Sequence, residues 1–261
     1  MPTPPIAAPD RAHRFAGRVA DYERGRPGYP EALFDRLVAL AGLAPGAAVA
    51  DIGAGTGIAS EPLLRRGLRV FAVEPSDEMR AAAERRLGGD AGFRATAGRA
   101  EATGLDDASV ELVIAAQAFH WFEPQATRQE FRRILRPGGM VALVWNARRA
   151  TGTPFAAGYE ALLLRHGTDY GEVGHRGLAP ERLRTFYRGD LATIRFDNSQ
   201  ALDRDGLRAR LLSSSYVPAG GQPGHEAMLD DLDTLFERHA EDGVVELLYD
   251  VDLYFGMLRG D

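Results

Sequence analysis

Val49-Ala50-Asp51-Ile52-Gly53-Ala54-Gly55-Thr56-Gly57 is the stretch from which the rest of the chain is read. An apolar run from Ala47 to Ile52 ends in glycines at alternate positions, the pattern of a strand entering a tight turn and then a helix. Glycine lets such a turn bend sharply and lets a ligand approach the backbone where a Cβ would collide with it. The spacing narrows the ligand. A diphosphate-binding loop runs G-x-G-x-x-G, so that pyrophosphate sits on a helix N-terminus. Here the glycines fall as G-x-G-x-G, Ile58 takes the next place, and Asp51 leads the loop where its carboxylate would repel a diphosphate. At the end of the next apolar run, Arg69–Val73, stands Glu74, and a carboxylate there can accept from both hydroxyls of a ribose. A loop without phosphate chemistry and a ribose clamp suit a nucleoside that carries no phosphates, and S-adenosylmethionine (SAM) answers that description.

Outward from the loop, strands and helices alternate. A helix is expected over Glu31 to about Ala41, with Leu33, Leu37, Val38 and Leu40 near helical spacing. Gly67 closes the helix after the loop, as a left-handed C-terminal residue should. Ser76 caps a helix running to about Leu87, with Asp77 and Glu78 in its first turn. Weaker strand character lies near Phe93–Ala97. Val110–Ala116 is nearly all apolar, as a strand buried on both faces should be. Pro124 starts a helix to about Leu135, and Pro137-Gly138-Gly139 turns the chain into a fifth strand, Met140–Trp145. Past residue 150 come a helix, a glycine-rich loop (Gly171–Gly177, with His175), a short helix, a strand at Leu191–Phe196 and helices near Asp203–Leu212 and His225–His239. Val245, Leu247, Tyr249, Val251, Leu253 and Phe255 share one face of a last strand, expected to pair with Leu191–Phe196. These elements predict an α/β fold: a Rossmann-like, seven-stranded, mostly parallel sheet with helices on both faces, plus a helical cap. Residues 31–261 are expected to form one domain, with 150–240 as a cap over the substrate. Residues 1–30 are expected to be a flexible N-terminus and cofactor-closing segment, disordered over 1–14.

Composition removes other chemistry. All 31 cationic side chains among the 261 residues are arginine, and there is no cysteine. Schiff-base enzymes, pyridoxal enzymes and P-loop lysines are thereby excluded, as are disulfides, thiolate nucleophiles and iron–sulfur clusters. A formal net charge of −6 argues against extensive nucleic-acid binding. The N-terminus has no apolar signal core, the most apolar stretch (Leu37–Ala50) is broken by Gly42, Pro45 and Gly46, and a cytoplasmic setting with no membrane partner is expected.

Several stretches carry a family resemblance. They are Phe15, Tyr22-x-x-x-Arg26-Pro27-x-Tyr29-Pro30, the Asp51–Gly57 loop, Glu74-Pro75-Ser76, Gly98-Arg99-Ala100-Glu101, Gln117-Ala118-Phe119-His120-Trp121-Phe122 and Arg133-Ile134-Leu135-Arg136-Pro137-Gly138-Gly139. With these the chain resembles the class I SAM-dependent methyltransferases, and more narrowly the small-molecule branch that includes trans-aconitate methyltransferase-like proteins. The match covers residues 15–146; beyond it only Ser213-Ser214-Ser215-Tyr216 agrees. The resemblance implies that Asp51, Gly53, Gly55 and Gly57 lie under the methionine part of SAM, that Glu74 binds the ribose and that Met79 packs on the adenine. Many relatives carry an acceptor Asp after the Gly98 position; here Arg99 cannot accept, so adenine recognition passes to Glu101 and the backbone at Ala100. Gln117 is expected to face the methionine or the transferred methyl. Tyr22 and Arg26 are expected to close over the cofactor, Arg26 either gripping the methionine carboxylate in a fork or forming a surface ion pair.

Methyl transfer needs alignment in a dry pocket, and a base only where the acceptor carries a proton. His120 is the first candidate base, against a hydrogen-bonded loop histidine. Trp121 and Phe122 read either as a substrate wall or as anchors of their loop, Trp145 faces the ligand-binding edge of the sheet, Asn146 reads as a cap or else a substrate contact, and Tyr216 is expected to contact substrate. The sequence thus points to a SAM-dependent methyltransferase with a small, partly apolar acceptor, O-methylation being favoured over C- or N-methylation, and a monomeric or homo-oligomeric state. Other readings are a protein of the same fold that uses SAM without methyl transfer, a protein or nucleic-acid methyltransferase, and a nicotinamide oxidoreductase.

Overall fold

In the computed structural model the described residues are 19–168, 170 and 178–259; the expectations placed on residues 1–14, Phe15, and the Gly171–Gly177 loop with His175 lie outside them. The apolar runs become strands β1 (Ala48–Ile52), β2 (Arg69–Val73), β3 (Phe93–Thr96), β4 (Val110–Ala116), β5 (Leu135–Arg148), β6 (Ala192–Leu202) and β7 (Val245–Gly256). They form one sheet in the order β3-β2-β1-β4-β5-β7-β6. β1 to β5 run parallel, and β7 pairs antiparallel with both β5 and β6, the latter including the expected Phe196↔Val251 neighbourhood. The chain order reverses between β1 and β4, and there the carboxyl ends of the strands open a crevice.

Helices α1 (Val19–Gly25), α2 (Glu31–Ala41), α3 (Ser60–Leu64), α4 (Asp77–Leu87), α5 (Pro124–Ile134), α6 (Pro154–His166), α7 (Pro180–Tyr187), α8 (Arg204–Leu212) and α9 (His225–His239) surround it. On one face Leu33, Phe34 and Leu37 of α2 and Leu63 and Leu64 of α3 pack on Val49, Val70, Leu112 and Ile114. On the other, Phe131 and Ile134 of α5 and Leu183, Phe186 and Tyr187 of α7 pack on Val110, Val113 and Val141. A third cluster joins Phe155, Tyr159, Leu162 and Leu163 of α6, Leu207 and Leu211 of α8, and Met228 and Leu232 of α9 to the first half of β7. Of residues 150–240, then, α7 and β6 belong to the sheet and its helical layer, while α6, α8 and α9 build the separate apolar unit. Among the described residues no helix is long and apolar enough to cross a membrane.

Local chemistry fixes the boundaries. Ser76 Oγ accepts from the Met79 amide at 3.4 Å to cap α4, and the Glu123 carboxylate caps α5 through the amides of Gln125 (3.1 Å) and Ala126 (2.6 Å). The expected turn at Pro137-Gly138-Gly139 is instead a bulge inside β5: Leu135 pairs with Val110 and Met140 with Leu112, so Arg136–Gly139 are looped out, with Gly138 at φ +81°. A residue without an N–H is tolerated there because no ladder bond is lost.

Arg133, within the Arg-Ile-Leu-Arg-Pro-Gly-Gly motif, ties the sheet edge together. It forks onto Glu130 at 2.8 and 2.7 Å, and Glu130 also accepts from the amide (2.8 Å) and hydroxyl (2.6 Å) of Thr103. The Arg133 guanidinium, outweighing burial, holds the Glu130 carboxyl down at about 2. Because the folded value lies below the ordinary one, this stabilisation is present above about pH 4.5 and is lost as pH falls through 2. Glu130→Gln is expected to cost about 2 kcal/mol at neutral pH by urea unfolding, and little near pH 2. An equal loss at both pH values would contradict the account.

Candidate active site

The glycine loop divides its labour. At Gly53 (φ +70°) an added Cβ would lie 2.6 Å from Ala118 Cβ, and at Gly57 (φ +81°) 2.6 Å from Leu87 Cδ1, so these two glycines serve backbone direction and packing against neighbouring protein. Gly55 (φ +57°) differs, because its added Cβ would meet only Tyr22, with the phenol oxygen 3.8 Å away. Tyr22 therefore stands over the loop, and Gly55 is the position where another molecule could approach the main chain.

Two carboxylates flank Gly55. Glu74 accepts from the Gly55 amide through Oε2 and from the Ser76 amide through Oε1, each at 2.9 Å. Burial raises its pKa, and those two amides oppose the shift. Each oxygen keeps a second lone pair, so two further donors can be accommodated. Asp51 is 1 % exposed, and its Oδ2 accepts from Ser60 Oγ at 2.7 Å while Oδ1 has no partner. Burial pushes its carboxyl up to about 7; the Ser60 hydroxyl pulls the other way, and the charge of Glu74 adds to the rise.

At the end of β4, Gln117 adopts φ +55°, a strained region for a residue with a side chain. Its amide nitrogen donates to the Asn146 carbonyl at 2.8 Å, and its Oε1 is buried without a partner. A single 3₁₀ turn, Phe119–Trp121, follows. It sets the His120 ring 4.3 Å from Trp121 and edge-on to Trp145 at 5.2 Å, so the three aromatic candidates meet. Phe122 is an anchor, packed edge-on against Phe119 and Phe131 in the core. Asn146 donates to the Gly28 carbonyl at 3.4 Å, a link to the N-terminal segment rather than a helix cap.

The remaining candidates separate. Met79 and Ala100 are buried beside the β2 and β3 ends. Glu101 accepts from the Glu123 amide at 2.8 Å, which fastens one loop to the start of α5. Tyr29 packs edge-on against Phe34. Among the described residues Arg26 forms no surface ion pair. Its guanidinium lies 4.9 Å from the Tyr22 ring, donates to the Ser213 carbonyl at 2.8 Å, and leaves Nε buried without a partner. Tyr216 is buried in the α6–α8–α9 unit, 5.0 Å from the Tyr170 ring.

Sequence reasoning missed Arg210, Arg148 and Tyr159. Arg210 sits at i+3 from Leu207 and beside Leu211, on the buried stripe of α8, and a cation on an apolar stripe was the available signal. Buried polar atoms without partners concentrate in this part of the molecule: Asp51 Oδ1, Thr56 Oγ1, Gln117 Oε1, Trp145 Nε1, Asn146 Oδ1, Arg26 Nε and Tyr159 Oη. Native interiors leave few such atoms, so a cluster of them at one edge of a sheet fits a polar ligand in that place. The donor set suits SAM: acceptors at Glu74 for a ribose, a carboxylate at Asp51 for an ammonium, and a guanidinium at Arg26 for a carboxylate.

A doubly wound sheet with an antiparallel seventh strand, a glycine loop after β1 and an acidic residue after β2 give the layout of a Rossmann-like α/β protein. Residues 50–143 match the methyltransferase domain family. An uncharacterised methyltransferase of Mycobacterium tuberculosis is 44% identical over 145 residues, which cover 53% of this chain and 54% of that one. The chain thus spans about half the length of the curated relatives it matches. A provisionally named type II methyltransferase from Anaeromyxobacter dehalogenans superposes on 90% of this chain and 99% of its own, with 26% identity and a TM-score of 0.62. A phosphoethanolamine N-methyltransferase of Haemonchus contortus, solved with phosphomonomethylethanolamine and S-adenosylhomocysteine, shares the fold alone: TM-score 0.58, 15% identity, 98% of this chain and 61% of that one. Residues 50–143 thus carry a methyltransferase domain, within a fold shared with solved methyltransferases.

Proposed function

We propose that the protein transfers a methyl group from SAM to a small, partly apolar acceptor, with oxygen favoured over nitrogen or carbon as the receiving atom. The observation that carries this reading is the set of unpartnered buried polar atoms at the carboxyl edge of β1, β4 and β5, next to the Glu74 carboxylate. SAM, when bound, supplies a methyl group already activated by its sulfonium. The protein's own residues bind and align. Glu74 accepts from the ribose hydroxyls, Asp51 Oδ1 from the methionine ammonium, and Arg26 donates to the methionine carboxylate. Met79, Ala100 and Glu101 border the adenine. Gln117, held at a strained φ by its bond to the Asn146 carbonyl, fixes the floor where the methyl emerges. Trp121, Trp145 and the apolar unit of α6, α8 and α9 exclude water, which strengthens every polar contact inside. His120 takes the proton from a hydroxyl acceptor, and a carboxylate acceptor dispenses with that step.

Isothermal titration tests the cofactor: SAM and S-adenosylhomocysteine are expected to bind, and NAD binding without SAM binding overturns the reading. Incubation with methyl-labelled SAM and a metabolite extract freed of macromolecules tests the transfer. Label is expected in a small-molecule product. No labelled product, or label accepted only by added protein or nucleic acid, rejects the acceptor class.

A further inference from the structure

The sheet ends in two unlike edges. β3 has four residues, whereas β6 runs for eleven, and among the described residues it pairs only with β7. The Arg149 amide donates to the Leu248 carbonyl at 2.8 Å, so Leu248, Asp250, Asp252 and Tyr254 turn their main-chain groups toward β5. The residues between them face β6, where by register they meet Asn198, Phe196 and Ile194. The N–H and C=O groups of Thr193, Arg195, Asp197 and Ser199 therefore point outward from the sheet. Among the described residues no main-chain group bonds to them. Their side chains lie on the exposed face of the strand. On the other face Asn198 and Gln200 donate to the carbonyls of Gly28 (3.0 Å) and Gly25 (3.1 Å), which holds residues 25–28 over that face rather than along the edge.

A bare edge is a template for another strand, and proteins blunt such edges by shortness, proline, bulges or repelling charges. β3 is short. β6 is long, holds no proline and keeps an unbroken register on β7, and its two charges are opposite in sign and two residues apart. A second copy meeting this edge antiparallel about a two-fold axis must set exposed face beside exposed face, so the axis passes through a residue. An axis at Asp197 puts two carboxylates opposite each other, and an axis at Arg195 two guanidiniums; both are unfavourable. An axis at Phe196 puts Arg195 opposite Asp197 on both sides, Thr193 opposite Ser199, and the two Phe196 rings together, and each of those matches is favourable. Within one copy Arg195 forks onto Asp252 at 2.7 and 2.9 Å, while Arg149 meets both Asp197 and Asp250. The same register thus completes a row of alternating charges: Asp252 and Arg195 of one copy, then Asp197, Arg149 and Asp250 of the other. We infer that β6 is a dimer interface, pairing antiparallel with β6 of a second copy about a two-fold axis at Phe196. The outward N–H and C=O groups of Arg195 and Asp197 then bond to one another across the axis, as do those of Thr193 and Ser199. The inference is independent of the methyltransferase reading, because no residue of the cofactor site takes part.

Sedimentation velocity on the full chain, from about 1 to 100 µM, is expected to show a monomer–dimer equilibrium. Asp197→Arg sets like charges opposite each other twice per dimer and is expected to weaken association about tenfold or more. Ser199→Pro is expected to weaken it as well, since it removes an outward N–H and leaves the β7 ladder intact. Circular dichroism is expected to show both variants folded, Asp197 being an exposed side chain. The chain has no cysteine, so single cysteines report the register under mild oxidation. Phe196→Cys is expected to crosslink two copies, because directly opposed residues come within disulfide reach, whereas Arg195→Cys and Asp197→Cys are expected to crosslink poorly. A wild-type protein that stays monomeric over the whole range overturns the inference, whatever covers the edge instead. A dimer unmoved by Asp197→Arg and Ser199→Pro also overturns it, since another surface would then hold the copies together. Crosslinking through Arg195→Cys or Asp197→Cys in preference to Phe196→Cys, or through none of the three, rejects the two-fold axis at Phe196.

Discussion

Replacing Glu74 with alanine is expected to weaken SAM binding by roughly 1–3 kcal/mol, about 5- to 150-fold, the cost of losing a buried charged acceptor. Two effects contribute. The Gly55 and Ser76 amides lose their acceptor, which loosens the glycine loop against the turn after β2. The ribose hydroxyls lose theirs as well. The direction of the Glu74 pKa says the second effect matters: two amide bonds do not offset its burial, so the carboxylate gains from further donors that a ribose would bring. Glu74→Gln separates these contributions from mere volume. Both carboxylate oxygens accept from backbone N–H groups, so the glutamine NH₂ must face one of them, donor against donor, and Gln is expected to fall almost as far as Ala. Were Glu74 only a staple between two loops, thermal unfolding would drop for both variants while the folded protein kept its SAM affinity. Calorimetry beside a melting curve distinguishes the cases, and an unchanged affinity removes the ribose assignment.

The residues that make Glu74 readable in the sequence are those whose role is local. β2, β4, α2, α4 and α9 fall where the sequence places them, because a cap such as Ser76, a left-handed glycine such as Gly67 at φ +73°, or an unbroken apolar run decides each within a few residues. β5 departs because the Arg136–Gly139 bulge depends on pairing with β4, a partner distant in sequence. The same division runs through the site. The glycine loop, Asp51, Glu74 and the Gln117–Trp121 turn are contiguous motifs. That Gly53 and Gly57 pack against Ala118 and Leu87, leaving Gly55 alone with an open side, is a tertiary fact no motif spacing carries. Arg210 and Tyr159 come from segments without motif character and converge only when α6 and α8 pack, so their chemistry is legible as a buried cluster and not as a string.

Asp51 gives the second large effect, through pH. Its folded pKa of about 7 lies above the ordinary 3.8, so the ligand-free folded state holds a proton that the unfolded chain has released over that interval. Stability contributed in this way is fully present below about pH 4 and is lost as pH rises through 7. At 1.36 kcal/mol per unit the loss amounts to about 4 kcal/mol. Glu74 is raised in the same direction, so the slope is not Asp51's alone, and Asp51→Asn isolates its share. Asparagine keeps an oxygen for the Ser60 hydroxyl and never ionises, so the variant is expected to gain on wild type from about pH 4 upward and to exceed it most in urea midpoint at pH 8. Cofactor reverses the advantage. An ammonium placed at Oδ1 favours the ionised carboxylate over the neutral one, so wild-type affinity for S-adenosylhomocysteine is expected to climb from pH 6 to 8, with proton release on binding below pH 7. The variant binds weakly and with a flat profile. Midpoints and affinities at pH 5, 6, 7 and 8 for both proteins decide the matter, and parallel curves would mean that Asp51 neither carries the buried proton nor meets the cofactor's charge. The opposite signs matter most: a residue kept only for packing would be improved at pH 8 in both measurements, whereas Asp51 is expected to lower the stability of the empty fold at the same pH at which it strengthens binding.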